Sequence, residues 1–277
     1  MIRYRSAAWL LVLVACSTGT PSAPVVSDAP ATPSPAAESA SISEHSGPEV
    51  LVPEPAARPA QPPMAPRYSV PLVADHCVDR DLPAPPVADP ILTVLDRSYA
   101  LGADDVPPDL VPASTAGLEG ASGTKLVRQV VADDLGRLRA AWRAAGLTID
   151  IESAYRSYAD QGATFEDWVA RIGLEGALVR TARPGHSEHQ LGTAIDVTSR
   201  GWSGRFGDWA VESAEGAWMA EHAWEHGFVM SYPAGGQDDT CYGYEPWHYR
   251  WIGRDAAADL RASGLPLRRF LERDVGR

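Results

Sequence analysis

Three short segments of this 277-residue chain gather the side chains able to make and break bonds. They are Ser153-Ala-Tyr-Arg-Ser157 with Gln161 four residues on, the run PGHSEHQLGTAID from Pro184 to Asp196, and YEPWHYR from Tyr244 to Arg250. His189, Asp196 and His248 offer two imidazoles and a carboxylate, the donor set of a catalytic zinc that keeps one position open for water. Gly192 permits a turn between His189 and the strand that carries Asp196, while His248 arrives from a separate strand. Glu245 stands three positions before His248. In a regular strand such positions face opposite sides, so Pro246 supplies the local break that sharing one site demands. A carboxylate beside an activated water is suited to take its proton and return it to a leaving amine.

Each of these residues also has an ordinary reading. Asp196 suits a turn or cap, His189 a satisfied polar position, and Arg156 a simple ion pair. A rival metal motif is His222-Ala-Trp-Glu-His226, which fits H-x-x-E-H. Trp218, Met219 and Trp224 on the same helix point instead to packing, and no downstream acid stands out as a third ligand. Gly185-His-Ser187-Glu-His189 lacks the second glycine of a nucleophile elbow. Ser187 is therefore expected to bond substrate or brace the metal loop. Tyr232 and Trp247 suit either a pocket wall or plain core.

The elements that must hold these residues follow from periodicity. Thr124 to Ala145 carries Leu126, Val130, Val131, Leu135, Leu138 and Trp142 at helical spacing, with Gly146 as a stop. Leu147–Tyr155 is expected as a strand, and Ser157 as the cap of a helix through Ile172. Ala194–Thr198, Phe228–Tyr232 and Tyr244–Ile252 are expected strands, and Trp209–Glu225 a helix closed by Gly227. Helices from Gly253 to Ser263 and Leu267 to Asp274 end the chain. The expected class is α+β, a small, mostly antiparallel sheet flanked by helices with the zinc site at the sheet.

A net charge of -12, from 24 basic against 36 acidic residues, argues against nucleic acid as a partner. Hydrophobic content of 45% and nine tryptophans exclude disorder of the whole chain. No apolar run reaches the ~18–20 residues of a lasting membrane span. Residues 1–16 read as an export signal, with Arg3 and Arg5 before an apolar stretch. Leu13-Val14-Ala15-Cys16 resembles the bacterial lipobox, in which Cys16 is lipidated and becomes the new N-terminus; the mature charge is then -14. Residues 17–66 hold 12 prolines, ten alanines and no aromatic residue, the composition of a disordered linker. A folded domain is expected over 67–277, with Cys77 and Cys241 paired, since two cysteines in an exported domain are more often bonded than free.

The motifs as a set resemble the VanY-like D-alanyl-D-alanine carboxypeptidases, zinc peptidases that act on peptidoglycan. The resemblance rests on SAYRS with Gln161, PGHSEHQLGTAID, GFVMSYP at Gly227–Pro233 and YEPWHYRWIG at Tyr244–Gly253, and covers roughly residues 90–275. It implies that His189, Asp196 and His248 bind Zn2+, that Glu245 is the base, and that Arg156 faces the scissile carbonyl or the terminal carboxylate of the substrate. Ser153, Tyr155 and Gln161 then orient Arg156 or contact the peptide. The implied activity is removal of the C-terminal D-Ala from stem peptides by a D,D-carboxypeptidase. The alternatives are an L,D-carboxypeptidase on tetrapeptide stems and a wall-binding lipoprotein without turnover, which would have little use for Glu245. The implied partners are peptidoglycan stem peptides and, through the lipid anchor, a membrane. No obligate protein partner is expected, and the domain is placed outside the cell membrane facing the wall or periplasm.

Overall fold

Four strands make the sheet that carries the site: β1 (Ile149–Ser153), β2 (Ala194–Ser199), β3 (Phe228–Met230) and β4 (His248–Trp251). Their order is β1-β2-β4-β3, with each neighbouring pair antiparallel. The computed structural model describes residues 75–273; the export signal, the proline-rich tract and Cys16 lie outside the described residues. The α+β class with a small antiparallel sheet is borne out. Along β4 all four residues are buried, and alternation sorts them by chemistry. Tyr249 and Trp251 enter the hydrophobic core, while His248 and Arg250 both reach Glu188.

Helix α1 (Gln129–Ala144) packs Val131, Leu135, Leu138 and Trp142 against that core. It starts later than the sequence pattern predicts. Leu126–Arg128 pairs with Leu110–Pro112 as a short antiparallel ladder, and Leu126 and Val130 stay exposed at 38% and 42%. The true stripe is i, i+4, i+7, i+11 from Val131. Gly146, at φ 77°, ends the helix: its N–H donates to the Arg143 carbonyl, and that of Leu147 to Trp142, the paired bonds of a Schellman cap.

Helix α2 (Tyr158–Arg180) begins under Ser157, whose hydroxyl accepts the Asp160 N–H at 3.1 Å. Gly173, with φ 77° and ψ 166°, breaks it where the sequence pattern ends, and a second helical segment continues to Arg180. The single helix expected over 209–225 is divided. A turn of helix at Trp209–Glu212 gives way at Ser213, which caps α3 (Ala214–His222) by accepting the Gly216 N–H. A 3-10 turn, Ala223–His226, follows, and Gly227 reverses the chain at φ 85°. Helices α4 (Arg254–Ser263) and α5 (Leu267–Glu272) close a second core with Val94, Tyr99, Val229 and Ile252. Cys77 and Cys241 are joined by a disulfide across 164 residues.

A candidate metal centre and its cleft

The ligand atoms of His189, Asp196 and His248 all lie within 4.8 Å of one another. Backbone register accounts for two of them: Asp196 on β2 sits directly opposite His248 on β4, so their side chains share one face. The third comes from a 3-10 turn, Glu188–Leu191, capped by Ser187, whose hydroxyl accepts the His189 N–H at 3.3 Å. Ser187 thus braces the loop. Gly192 then takes φ 70° to redirect the chain into β2, a conformation that disfavours side-chain-bearing residues.

Hydrogen bonds fix which nitrogen each imidazole presents. The backbone carbonyl of Ala154 lies 2.7 Å from His189 Nδ1 and can only accept, so Nδ1 carries the proton. The lone pair of Nε2 then faces Asp196 Oδ2 at 3.1 Å. His248 is held from both sides, with Nε2 2.9 Å from Glu188 Oε2 and Nδ1 3.0 Å from Asp196 Oδ1. Burial pushes His248 toward the neutral form, but hydrogen bonds to Asp196 and Glu188 outweigh it and lift the pKa to about 10. Burial also opposes ionisation of Asp196, yet the charges and hydrogen bonds of His189 and His248 hold it well below the ordinary carboxylate range. His189 is shifted down by burial, with Asp196 opposing. Two buried imidazoles and an ionised carboxylate, each anchored by an outer partner, fit a divalent cation of zinc type.

Glu188 is the residue the sequence reading missed. It accepts hydrogen bonds from His248, from Arg250 Nη1 at 2.9 Å and from Ser231 Oγ at 2.5 Å. Burial raises its pKa, but the Arg250 guanidinium and His248 dominate and hold it at about 2. Arg250 is fully buried, and its Nη2 donates to the carbonyls of Ile91 and Thr93. The available signal was the i, i+2 pair His248 and Arg250, which puts a cation on a buried strand face and so demands an anion there.

Glu245 enters through a turn rather than the strand expected from Tyr244. The His248 N–H donates to the Glu245 carbonyl at 3.1 Å, with Pro246 at the second turn position, and Glu245 N–H donates to Tyr232. β4 therefore starts at His248. The Glu245 carboxylate lies 4.0 Å from His248 Nδ1. Burial pushes its pKa up to about 7, against the opposing charge of His248.

Arg156 completes the polar wall. Its Nη1 donates to Gln161 Oε1 at 2.8 Å and its Nη2 to Ser153 Oγ at 2.9 Å, leaving Nη2 3.6 Å from Asp196 Oδ2. Gln161 is itself pinned to the Ala182 carbonyl. Ser153 and Gln161 thus orient the guanidinium. Tyr155 is not among the residues that line the cleft; β1 ends at Ser153, and the Tyr155 N–H donates to the Leu126 carbonyl. Alternation does not carry past the end of the strand.

These groups open on a cleft of about 400 Å³ lined by Arg156, Ser187, Glu245, Trp247 and the three ligand residues. Tyr232 covers one side, its ring 5.0 Å from that of His248. Phe206 meets Trp247 edge-on at 5.1 Å. His222 and His226 do not converge on a metal site. His222 closes α3 and pairs with Glu225 at 3.0 Å, while His226 ends the 3-10 turn. A larger groove of about 880 Å³, lined in part by Asp81–Ala84 and Ala100–Pro108, contains none of the ligand residues.

A family profile described as VanY, D-alanyl-D-alanine carboxypeptidase, matches residues 124–254. YodJ of Bacillus subtilis (strain 168) is 34% identical over 184 residues, which are 66% of this chain and 67% of that one. The solved structure of LdcB, an LD-carboxypeptidase, is similar with TM-score 0.60 and 33% identity, over 67% of this chain and 88% of that one. A mutant of the D,D-pentapeptidase VanY from a VanB-type vancomycin resistance cassette, in complex with Zn(II), is similar with TM-score 0.56 and 27% identity, over 66% of this chain and 99% of that one.

Proposed function

The chain belongs to the VanY family of D-alanyl-D-alanine carboxypeptidases, and from that premise we propose that it is a zinc-dependent D,D-carboxypeptidase removing the C-terminal D-Ala of peptidoglycan stem peptides. One observation carries the reading: a buried Glu245, with its pKa lifted to about 7, beside a convergent His189, Asp196 and His248. Those three residues would hold the zinc, which supplies Lewis-acid polarisation and a water of lowered pKa. Glu245 takes the proton of the attacking water as the C–O bond forms, and passes it to the departing amine of D-Ala when the C–N bond then breaks. Arg156, held by Ser153 and Gln161, offers positive charge to the developing oxyanion. Tyr232 and Trp247 wall the reacting centre from bulk water. Glu188 keeps His248 in the tautomer that presents Nδ1.

A second reading is an L,D-carboxypeptidase acting on tetrapeptide stems, favoured by the higher identity to LdcB than to VanY, 33% against 27%. Mass spectrometry of products from defined penta- and tetrapeptide stems, with and without a chelator, separates the two. Chelator-sensitive loss of D-Ala from the pentapeptide supports the D,D reading. Cleavage of the tetrapeptide alone replaces it, and peptide retained without cleavage replaces both with a wall-binding role. We also propose that Cys16 carries a lipid and tethers the exported domain to a membrane, on the strength of Leu13-Val14-Ala15-Cys16. Incorporation of labelled fatty acid that survives Cys16→Ala would refute it.

A further inference from the structure

Helix α2 ends at Arg180, which lines the cleft on the same side as Trp168. Its guanidinium carbon lies 5.5 Å from the Trp168 ring centroid and 5.9 Å from that of Trp247. Both distances are in the range of cation–π contact. Indole rings accept no conventional hydrogen bond, so a guanidinium held over them keeps its N–H donors for a planar acceptor. The other cation of the cleft, Arg156, is already committed to Ser153, Gln161 and Asp196. Arg180 has no carboxylate within ion-pair distance among the described residues, although the neighbouring Arg171 on the same helix pairs with Asp167. A preoriented, unpaired guanidinium in the cleft of so acidic a chain is arranged for an anion from outside.

Its position says which anion. Arg156 touches a ligand carboxylate, so it belongs to the reacting carbonyl. Arg180 makes no ion pair with Asp196 or Glu245, acting on Glu245 only at longer range through its charge, and lies against Trp247. We propose that Arg180 is a specificity-determining residue that binds a free carboxylate of the stem peptide, on the acyl side of the scissile bond. This inference rests on the stem-peptide reading above and names the substrate class more narrowly: stems bearing an acidic group there, in preference to their amidated counterparts. Two chemistries supply such a group. A γ-linked glutamate leaves its α-carboxylate free, and a diamino dicarboxylic acid at the third position carries a second carboxylate.

Four pentapeptide stems test it, combining isoglutamate or isoglutamine at the second position with diaminopimelate or lysine at the third. Dissociation constants are measured by calorimetry on zinc-loaded Glu245→Gln protein, and D-Ala release on the same peptides with Glu245 intact. The expected result is roughly tenfold tighter binding of the stem with the carboxylate at one of the two positions, the scale of one partly solvated charge-assisted bond. Adding Arg180→Gln brings that ratio to about 1, and Arg180→Lys retains part of it. The position whose ratio collapses identifies the source. Equal binding of all four stems, or a preference that persists in Arg180→Gln, overturns the inference. A carboxylate preference in binding with no D-Ala released from any of these pentapeptides leaves Arg180 assigned and overturns the D,D-carboxypeptidase reading alone.

Discussion

Glu188 and His248 are joined by a 2.9 Å hydrogen bond that spans 60 residues of sequence. The bond occupies Nε2 and leaves Nδ1 as the only nitrogen His248 can turn toward a cation. Outer carboxylates of this kind typically contribute about 10–100-fold to metal affinity. Glu188→Gln keeps the shape and removes the charge, so zinc affinity in chelator competition is expected to fall within that range. A change under twofold would show that Glu188 serves only to neutralise Arg250.

Metal loading should release protons. In the metal-free protein His248 is held at about 10, hence protonated at pH 7, and must lose that proton to ligate. Affinity therefore rises with pH from neutrality toward 10. The sign for the metal-free fold is the reverse. A raised pKa stabilises fully below the unfolded value near 6.5, and that contribution is lost as pH climbs through the folded value. Calorimetry at pH 7 in two buffers of different ionisation enthalpy should yield about one proton per zinc from His248 and up to about half of another from Glu245; none released would contradict the assignment.

Glu245 must be ionised to act as a base. Its pKa of about 7 is set by burial, and a bound cation can only lower it. Activity should accordingly climb with pH along an acid limb whose midpoint lies at or below about 7. Glu245→Gln should retain zinc and lose about 10²–10⁴ in kcat. Turnover near that of the unaltered protein would remove Glu245 from its role.

The Cys77–Cys241 disulfide closes a loop of 164 residues. Chain entropy assigns such a crosslink about 5 kcal/mol, and measured losses are typically ~2–5 kcal/mol. Cys77→Ser/Cys241→Ser protein should unfold at correspondingly lower denaturant. Cys241 also precedes Tyr242, whose ring lies 5.3 Å from that of Tyr232. The double variant should thus raise KM more than it lowers kcat, as Tyr232 loses a neighbour at the cleft wall. Unchanged stability would mean that the second core holds these segments by itself.

The site was legible where its chemistry is local to a motif. His189, Asp196, His248 and Glu245 stand in two short runs, and Pro246 announced the turn that places the last two side by side. Glu188 was not legible as that anion: His248 and Arg250 called for one, but its partners lie 43 and more residues away and nothing local singles out Glu188. Helix α1 was legible in its core stripe but not at its start, since Leu126 and Val130 continue an apolar rhythm without being buried. Tyr155, expected from SAYRS to orient Arg156 or contact the peptide, lies outside the cleft lining, since a motif says nothing about where the strand beneath it ends. The pair Leu82–Pro83 with Tyr99–Ala100 is too short for any period to register.

Arg250 extends the site far beyond the matched profile. Its guanidinium binds Glu188 on one edge and the carbonyls of Ile91 and Thr93 on the other, residues that precede the profile's first matched position, 124. A chain trimmed to the profile would keep His189, Asp196, Glu245 and His248, yet strand two donors of a sealed-in cation. The boundary of the working enzyme is therefore drawn by hydrogen-bond accounting at least 33 residues upstream of position 124, where the profile begins, a point for anyone choosing where to cut the gene.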